Sequence, residues 1–253
     1  MGTVLIKRRR KVSRYETLSI INNSQFLSIG SDGKKLYANE YKDCLPCGNV
    51  KLLMNEQLLF EGTYENVLPH GQGIQIDSNN GKYVGNFRKG IREGYGLYYY
   101  SKDNFFAGMY KDNMQNGLGY KRFSQGQIII GQCKENKFNG ECQFFILKES
   151  DEKKINTNLK IWLLSFKPVE EQLMPESILE IFDTNQPYYL KYSGQFVDDE
   201  LTGQGELMND RGEKWVGQFT QFLQNGICTY YKDDKMIYKG VWIMVELQDE
   251  IEA

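Results

Sequence analysis

From Tyr83 to Tyr100 the chain reads YVGNFRKGIREGYGLYYY, with aromatic residues and glycines at alternate positions. Tyr83, Gly85 and Phe87 form one such set, and Gly94 and Gly96 form a second. Neighbouring side chains of an extended strand point to opposite faces, so each set shares one face. The polar stretch between them contains Gly90, a residue that tolerates a left-handed backbone. The pattern therefore predicts a β-hairpin. Glycine weakens a strand unless it makes room for something. On this reading Gly94 and Gly96 leave open ground on the face of Tyr83 and Phe87, and rings of this or a neighbouring hairpin lie over it.

The same pattern returns every 23 residues, from Phe60 to Tyr83, Phe106 and Ile129. The first copy supplies Phe60, Gly62, Tyr64, Gly71 and Gly73, and the third supplies Phe106, Gly108, Tyr110, Gly117 and Gly119. The fourth, IIGQCKENKFNGEC, keeps the glycines but places Cys133 at an aromatic position and Cys142 at the second glycine of its pair. After a break the register resumes with Tyr192, Gly194, Phe196, Gly203 and Gly205, then Trp215, Gly217, Phe219 and Gly226, and a half copy YKGVW from Tyr238. In that second block Cys228 replaces a glycine. One period before Phe60, Tyr37 opens a degenerate copy that keeps Tyr41 and Gly48 but has Asn39 and Val50 at glycine positions. At the turn, Gly90, Asn113, Asn136 and Asp199 suit a left-handed backbone. Val67 and Phe222 do not, so their turns are expected to differ.

A lone hairpin is marginal in water, so the copies must stack on one another. The fold class that follows is all-β: an elongated, twisted, single-layer antiparallel sheet of consecutive hairpins with a mixed insertion after the fourth in-register copy. The chain divides into a basic extension (1–36), repeats (37–151), the insertion (152–191), repeats (192–244) and an acidic tail (245–253), which is expected to cap the last hairpin as a short helix.

Aromatic-x-Gly-x-aromatic followed by Gly-x-Gly on this period resembles the MORN repeat, the membrane occupation and recognition nexus motif. The resemblance covers about Tyr37 to Met244 apart from the insertion. It implies one of several roles: arrays attached to lipid kinases or lysine methyltransferases, arrays in junctional membrane proteins, or cytoskeletal scaffolds that include radial-spoke heads. Repeats running from 37 to 244 leave no space in this chain for an appended catalytic domain, which favours the scaffolds. A non-enzymatic component of a ciliary axoneme, radial-spoke-like or central-apparatus, is the expectation. The localisation expected is cytoplasmic and cytoskeletal.

Composition narrows this further. A formal net charge of -2 argues against general affinity for nucleic acid. The basic run Lys7, Arg8, Arg9, Arg10 and Lys11 is the one local exception, and it supports the alternative of a peripheral membrane protein binding acidic phospholipid. No apolar stretch reaches the length of a membrane span. The cysteines read as free thiols. CLPC (Cys44–Cys47) has redox or half-zinc spacing, but it falls in a predicted turn without a second ligand pair. The single histidine, His70, occupies a hairpin position rather than that of a general base. No catalytic, cofactor-binding or metal residues are assigned.

Two features call for cover. Tyr98 to Tyr100 and Tyr230 to Tyr231 occupy second strands, so some of these rings point away from the packed face. The insertion carries LKIWLLSF and PESILEIF, too apolar for a plain linker. Trp162, Leu163, Phe166, Ile178, Leu179 and Phe182 are its candidate partner contacts, against the plainer reading that it folds over the array itself. Other proteins of a large assembly are the expected partners, with edge-strand self-association as a further route.

Overall fold

A computed structural model describes residues 3–4, 15–22, 25–30, 33–43, 45–147, 188–244 and 246–251. The basic run Lys7 to Lys11, Cys44 and all six candidate residues of the insertion lie outside the described residues. Among those described, every regular element is a strand. The all-β antiparallel hairpin array read from the periodicity is what the chain forms.

The molecule comprises two units, residues 1–100 with 110–113, and residues 101–109 with 114–253. The division falls inside the Phe106 copy rather than at the insertion. In the first unit the strands are β1 (Thr3–Val4), β2 (Tyr15–Asn22), β3 (Gln25–Gly30), β4 (Lys34–Lys42), β5 (Leu45–Met54), β6 (Gln57–Glu65), β7 (Leu68–Ile76), β8 (Lys82–Arg88) and β9 (Ile91–Tyr99). Each pairs antiparallel with the next. β10 (Phe105–Lys111) contributes to both units. The second unit continues with β11 (Met114–Arg122), β12 (Gln127–Lys134), β13 (Lys137–Leu147), β14 (Tyr188–Val197), β15 (Glu200–Asn209), β16 (Glu213–Thr220), β17 (Leu223–Lys232), β18 (Lys235–Ile243) and β19 (Glu246–Ile251). From β11 onward each again pairs with its successor.

Two expectations are corrected here, and the sheet also extends before the first repeat, where β3 pairs with β4 through Phe26↔Ala38 and Leu27↔Tyr37. Strand pairing needs only an extended backbone and a neighbouring edge, not the glycine motif. The tail expected to be helical is β19, paired to β18 through Val241↔Asp249; the open edge of β18 offers it backbone partners that a helix would forgo. The turns at Val67 and Phe222 do not differ from the rest. Asn66 and Val67 have φ of 50° and 64°, Gln221 and Phe222 have 51° and 66°, and Asp112 and Asn113 have 52° and 67°. Two positive φ values make a type I′ turn, whose twist matches the flanking strands, and the pairing of the strands imposes it even on β-branched Val67.

The strands on either side of residues 148–187 pair directly, through Gly140↔Phe196 and Phe144↔Tyr192. The same offset joins consecutive repeats elsewhere, as in Gly117↔Cys133 and Gly203↔Phe219. The insertion therefore does not break the register of the sheet.

Candidate interaction surface

One face of the sheet holds the rings. In the first unit Gly62, Gly73, Gly85 and Gly96 stand side by side across four strands. In the second, the row runs Gly119, Gly131, Cys142, Gly194, Gly205, Gly217, Cys228, Gly240. In four repeats the first aromatic lies over this row: Phe60 over Gly62 and Gly73, Tyr83 over Gly85 and Gly96, Phe106 over Gly108 and Gly119, Tyr192 over Gly194 and Gly205. A Cβ at Gly73 would come within 2.6 Å of the Phe60 ring. The rings then meet edge to face, Tyr83 with Phe87 and Tyr110 at 5.1 Å each, and Tyr192 with Phe219 at 5.6 Å. Tyr83, Phe106, Tyr192, Phe196 and Phe219 are buried.

The other glycine of each pair has a different reason, which corrects half of the expectation. Gly94 has φ of 80°, and a Cβ there would meet the Asn86 side chain at 3.5 Å, not a ring. Gly140 has φ of 86°, and a Cβ there would meet nothing within 4 Å. These positions need the left-handed backbone of a bulge: Gly85 pairs with Gly96 and Phe87 with Arg92, so the single residue Asn86 faces Glu93, Gly94 and Tyr95. The bulge frees carbonyls that the ladder no longer uses. The Tyr83 hydroxyl donates to the Asn86 carbonyl at 3.0 Å and the Tyr95 carbonyl at 3.4 Å, and the Tyr192 hydroxyl donates to those of Gln195 and Gln204 at 3.5 and 3.4 Å.

The cysteines that replace glycine fit this scheme. Cys228 fills the ground over Gly217 and donates its thiol proton to the Gln218 carbonyl at 3.1 Å, while Trp215, with no place over the row, packs on Tyr230 at 5.1 Å. Cys142 lies against Gly131, where the repeat has Ile129 instead of a ring. Burial pushes the thiols of Cys133 and Cys142 up to about 12 and raises that of Cys228. They are packed neutral groups.

A second periodic contact joins successive turns. Asn136 takes the Gln115 N–H on its side chain at 2.8 Å and returns its own N–H to the Gln115 carbonyl at 3.0 Å. Asn113 does the same to Arg92. Asp199 does it to Phe138, at 2.7 and 3.0 Å, across residues 148–187. Asn and Asp at this position thus clamp the preceding hairpin as well as permitting the turn. Phe222 lacks such a group and lays its ring on Phe144 at 4.7 Å instead.

The tyrosine clusters are largely used internally. Tyr98 donates to Asp77, whose other carboxylate oxygen accepts the N–H groups of Asn79 and Gly81 at 2.9 and 3.0 Å. Arg92 lies over both Tyr83 and Tyr98, at 4.8 and 5.1 Å, and bonds Gln75. Burial works against ionisation of Asp77, but the bonds from Tyr98 and the two amides, with the Arg92 charge, outweigh it and hold the carboxyl below its usual value. Tyr100 packs on Tyr98 and stays exposed. His70 lies 3.2 Å from the Glu65 carboxylate beside its turn. Cys47 is a half-buried free thiol on β5, and no group of metal-ligand type occurs among the described residues.

The opposite, outer face changes character along the second unit. Tyr120 pairs with Ile130 and Ile128 with Phe145 on this face, and all four are buried. Further on the cross-strand row becomes Ser193, Glu206, Val216, Thr229, Lys239. No sequence signal short of the strand register separates these two stretches.

The sequence profile of the MORN repeat matches residues 60–82, 83–105, 106–128 and 192–209. The chain is a MORN-repeat protein. No curated protein matches it. The copies at Ile129 and Trp215 fall outside the matched residues, and these are the two in which Cys142 or Cys228 takes a glycine's place. MORN repeats are in general modules for binding proteins or membranes and are typically not catalytic.

Proposed function

We propose that the protein is a non-enzymatic scaffold that binds other proteins of a large cytoskeletal assembly, in the cytoplasm, with the ciliary axoneme as its setting. The observation that carries the scaffold reading is the clamp of Asp199 on Phe138, which carries the repeat across residues 148–187 as Asn136 on Gln115 does between consecutive copies. Equivalent surface positions therefore recur in one register through the second unit, and a run of equivalent positions holds partners at fixed spacing. The axonemal setting rests on analogy with repeat-only members of the family, radial-spoke-like or central-apparatus. Detergent extraction of ciliated cells tests it: the protein is expected to stay with the axonemes, and its release with the membrane fraction would overturn the reading.

The basic run Lys7 to Lys11 supports a second reading, peripheral attachment to acidic phospholipid. On that reading the protein binds anionic vesicles in a salt-dependent way, and neutralising Arg8, Arg9 and Arg10 together abolishes the binding. Trp162 is the sequence's best candidate for a partner anchor. Loss of the Trp162→Ala protein from the native complex, with its melting midpoint unchanged, is the result that supports docking through the insertion.

A further inference from the structure

The outer face of β10–β13 is buried, although one layer of antiparallel sheet leaves such a face to water unless something packs on it. Tyr120 stands opposite Ile130, Arg122 opposite Ile128, and Ile128 opposite Phe145, all on the face away from the glycine row. Phe105 stacks on Tyr120 with ring centroids 5.8 Å apart. None of these six residues is more than 5% exposed. Val216 holds the motif position of Ile130 on the same face of a later repeat, yet it is 37% exposed. The sheet alone therefore does not bury this position. The described strands of the unit make their substantial contacts with sequence neighbours, which lie beside them and not above them. These exposures are those of one chain, so the covering residues belong to the protein itself.

Length, position and composition point to one occupant. In this unit only residues 148–187, 245 and 252–253 lie outside the described residues, and only the first stretch is long enough to span four strands, roughly 15 Å. It leaves and rejoins the sheet beside the buried face, because Leu147 pairs with Tyr188 and Phe145 lies two residues before Leu147 on β13. Its run Leu159 to Phe166, LKIWLLSF, supplies apolar side chains to match the aromatic and aliphatic ones. Arg122 adds a polar requirement, since a buried guanidinium has only donors and needs acceptors; the segment carries Glu170, Glu171, Glu176 and Glu180. We propose that residues 148–187 pack on the outer face of β10–β13 of their own chain, with the Leu159–Phe166 run against Phe105, Tyr120, Ile130 and Phe145 and a carboxylate of the segment against Arg122. Of the two readings of the insertion this selects the one in which it folds over the array, and it leaves partners to meet other surfaces. It goes beyond the scaffold reading and does not rest on it.

Two measurements on the full chain test it. The variant Trp162→benzoylphenylalanine keeps a large aromatic in the middle of the apolar run. Irradiation of this purified protein is expected to give adducts within one chain, located by mass spectrometry on the strands between residues 105 and 145. Separately, Trp162→Ala is expected to lower the melting midpoint by about 5 °C or more and to bind anilinonaphthalene sulfonate, a dye for exposed apolar surface, more strongly than wild type. Should Trp162→Ala fail to fold, the adducts decide alone. Adducts confined to other strands, adducts between two copies, no adducts, or a Trp162→Ala midpoint equal to that of wild type would each overturn the proposal. An equal midpoint together with loss from the native complex would give Trp162 to a partner instead.

Discussion

The ring of Tyr83 lies over Gly96, on the next strand of its own hairpin, and a Cβ at Gly96 would strike that ring. Gly94, two residues earlier, is a glycine for its φ of 80° instead. The two positions should therefore respond differently to substitution. Gly96→Ala and Gly96→Asn are both expected to cost about 1–3 kcal/mol by overpacking. At Gly94, Ala is expected to cost about 1 kcal/mol and Asn distinctly less, because Asn tolerates the left-handed region. Urea midpoints of the four variants check this. Equal losses for Asn at both sites would show that the two glycines share one role.

Cys228 and Trp215 form a matched exchange for the Gly and Tyr of other repeats. Trp215→Tyr alone places a ring where the thiol already sits, and Cys228→Gly alone leaves the Gln218 carbonyl without its donor. The double variant restores the arrangement of Tyr192 with Gly205. It is expected to be more stable than either single variant, with a coupling of about 0.5–3 kcal/mol. A thermodynamic cycle measures the coupling, and strict additivity would contradict the exchange.

The turn clamps make a third prediction. Asp199→Ala removes the acceptor of the Phe138 N–H and is expected to cost about 1 kcal/mol, whereas Asp199→Asn keeps it. Hydrogen exchange at the Phe138 amide should quicken in the first variant and not in the second. Conversely, Val67→Asn relieves a β-branched residue held at φ of 64° and is expected to raise stability by about 1 kcal/mol.

Alkaline pH should unfold the protein cooperatively. Burial raises Cys133 and Cys142 from an ordinary value of 9.0 to about 12, and Tyr192 from 10.0 to about 12. Above pH 9 the unfolded chain ionises these groups while the folded chain keeps them neutral, so the folded state holds more protons and stability falls as pH rises. The contribution is whole below about pH 8.5 and is lost progressively toward pH 12. Melting midpoints between pH 8 and 11 should decline, and in native protein near pH 8 a thiol reagent should label Cys47 before Cys133, Cys142 or Cys228. Rapid native labelling of Cys142 would contradict its packing against Gly131.

The hairpins were legible in the sequence because each is a local object. Ring, glycine and turn recur within one period, and alternation alone assigns Tyr83, Gly85 and Phe87 to one face. The tertiary structure decided what depends on a neighbouring strand. Gly94 and Gly96 look alike in sequence, and only the bulge opposite Asn86 separates a backbone requirement from a steric one. Val67 adopts the common turn because paired strands on both sides fix its φ against local preference. The tail and the segment before Tyr37 join the sheet through backbone bonds, which leave no side-chain pattern to read. The outer face was the least legible. Val216 and Ile130 hold like residues at one motif position, yet one is 37% and the other 3% exposed, a difference on which the motif is silent.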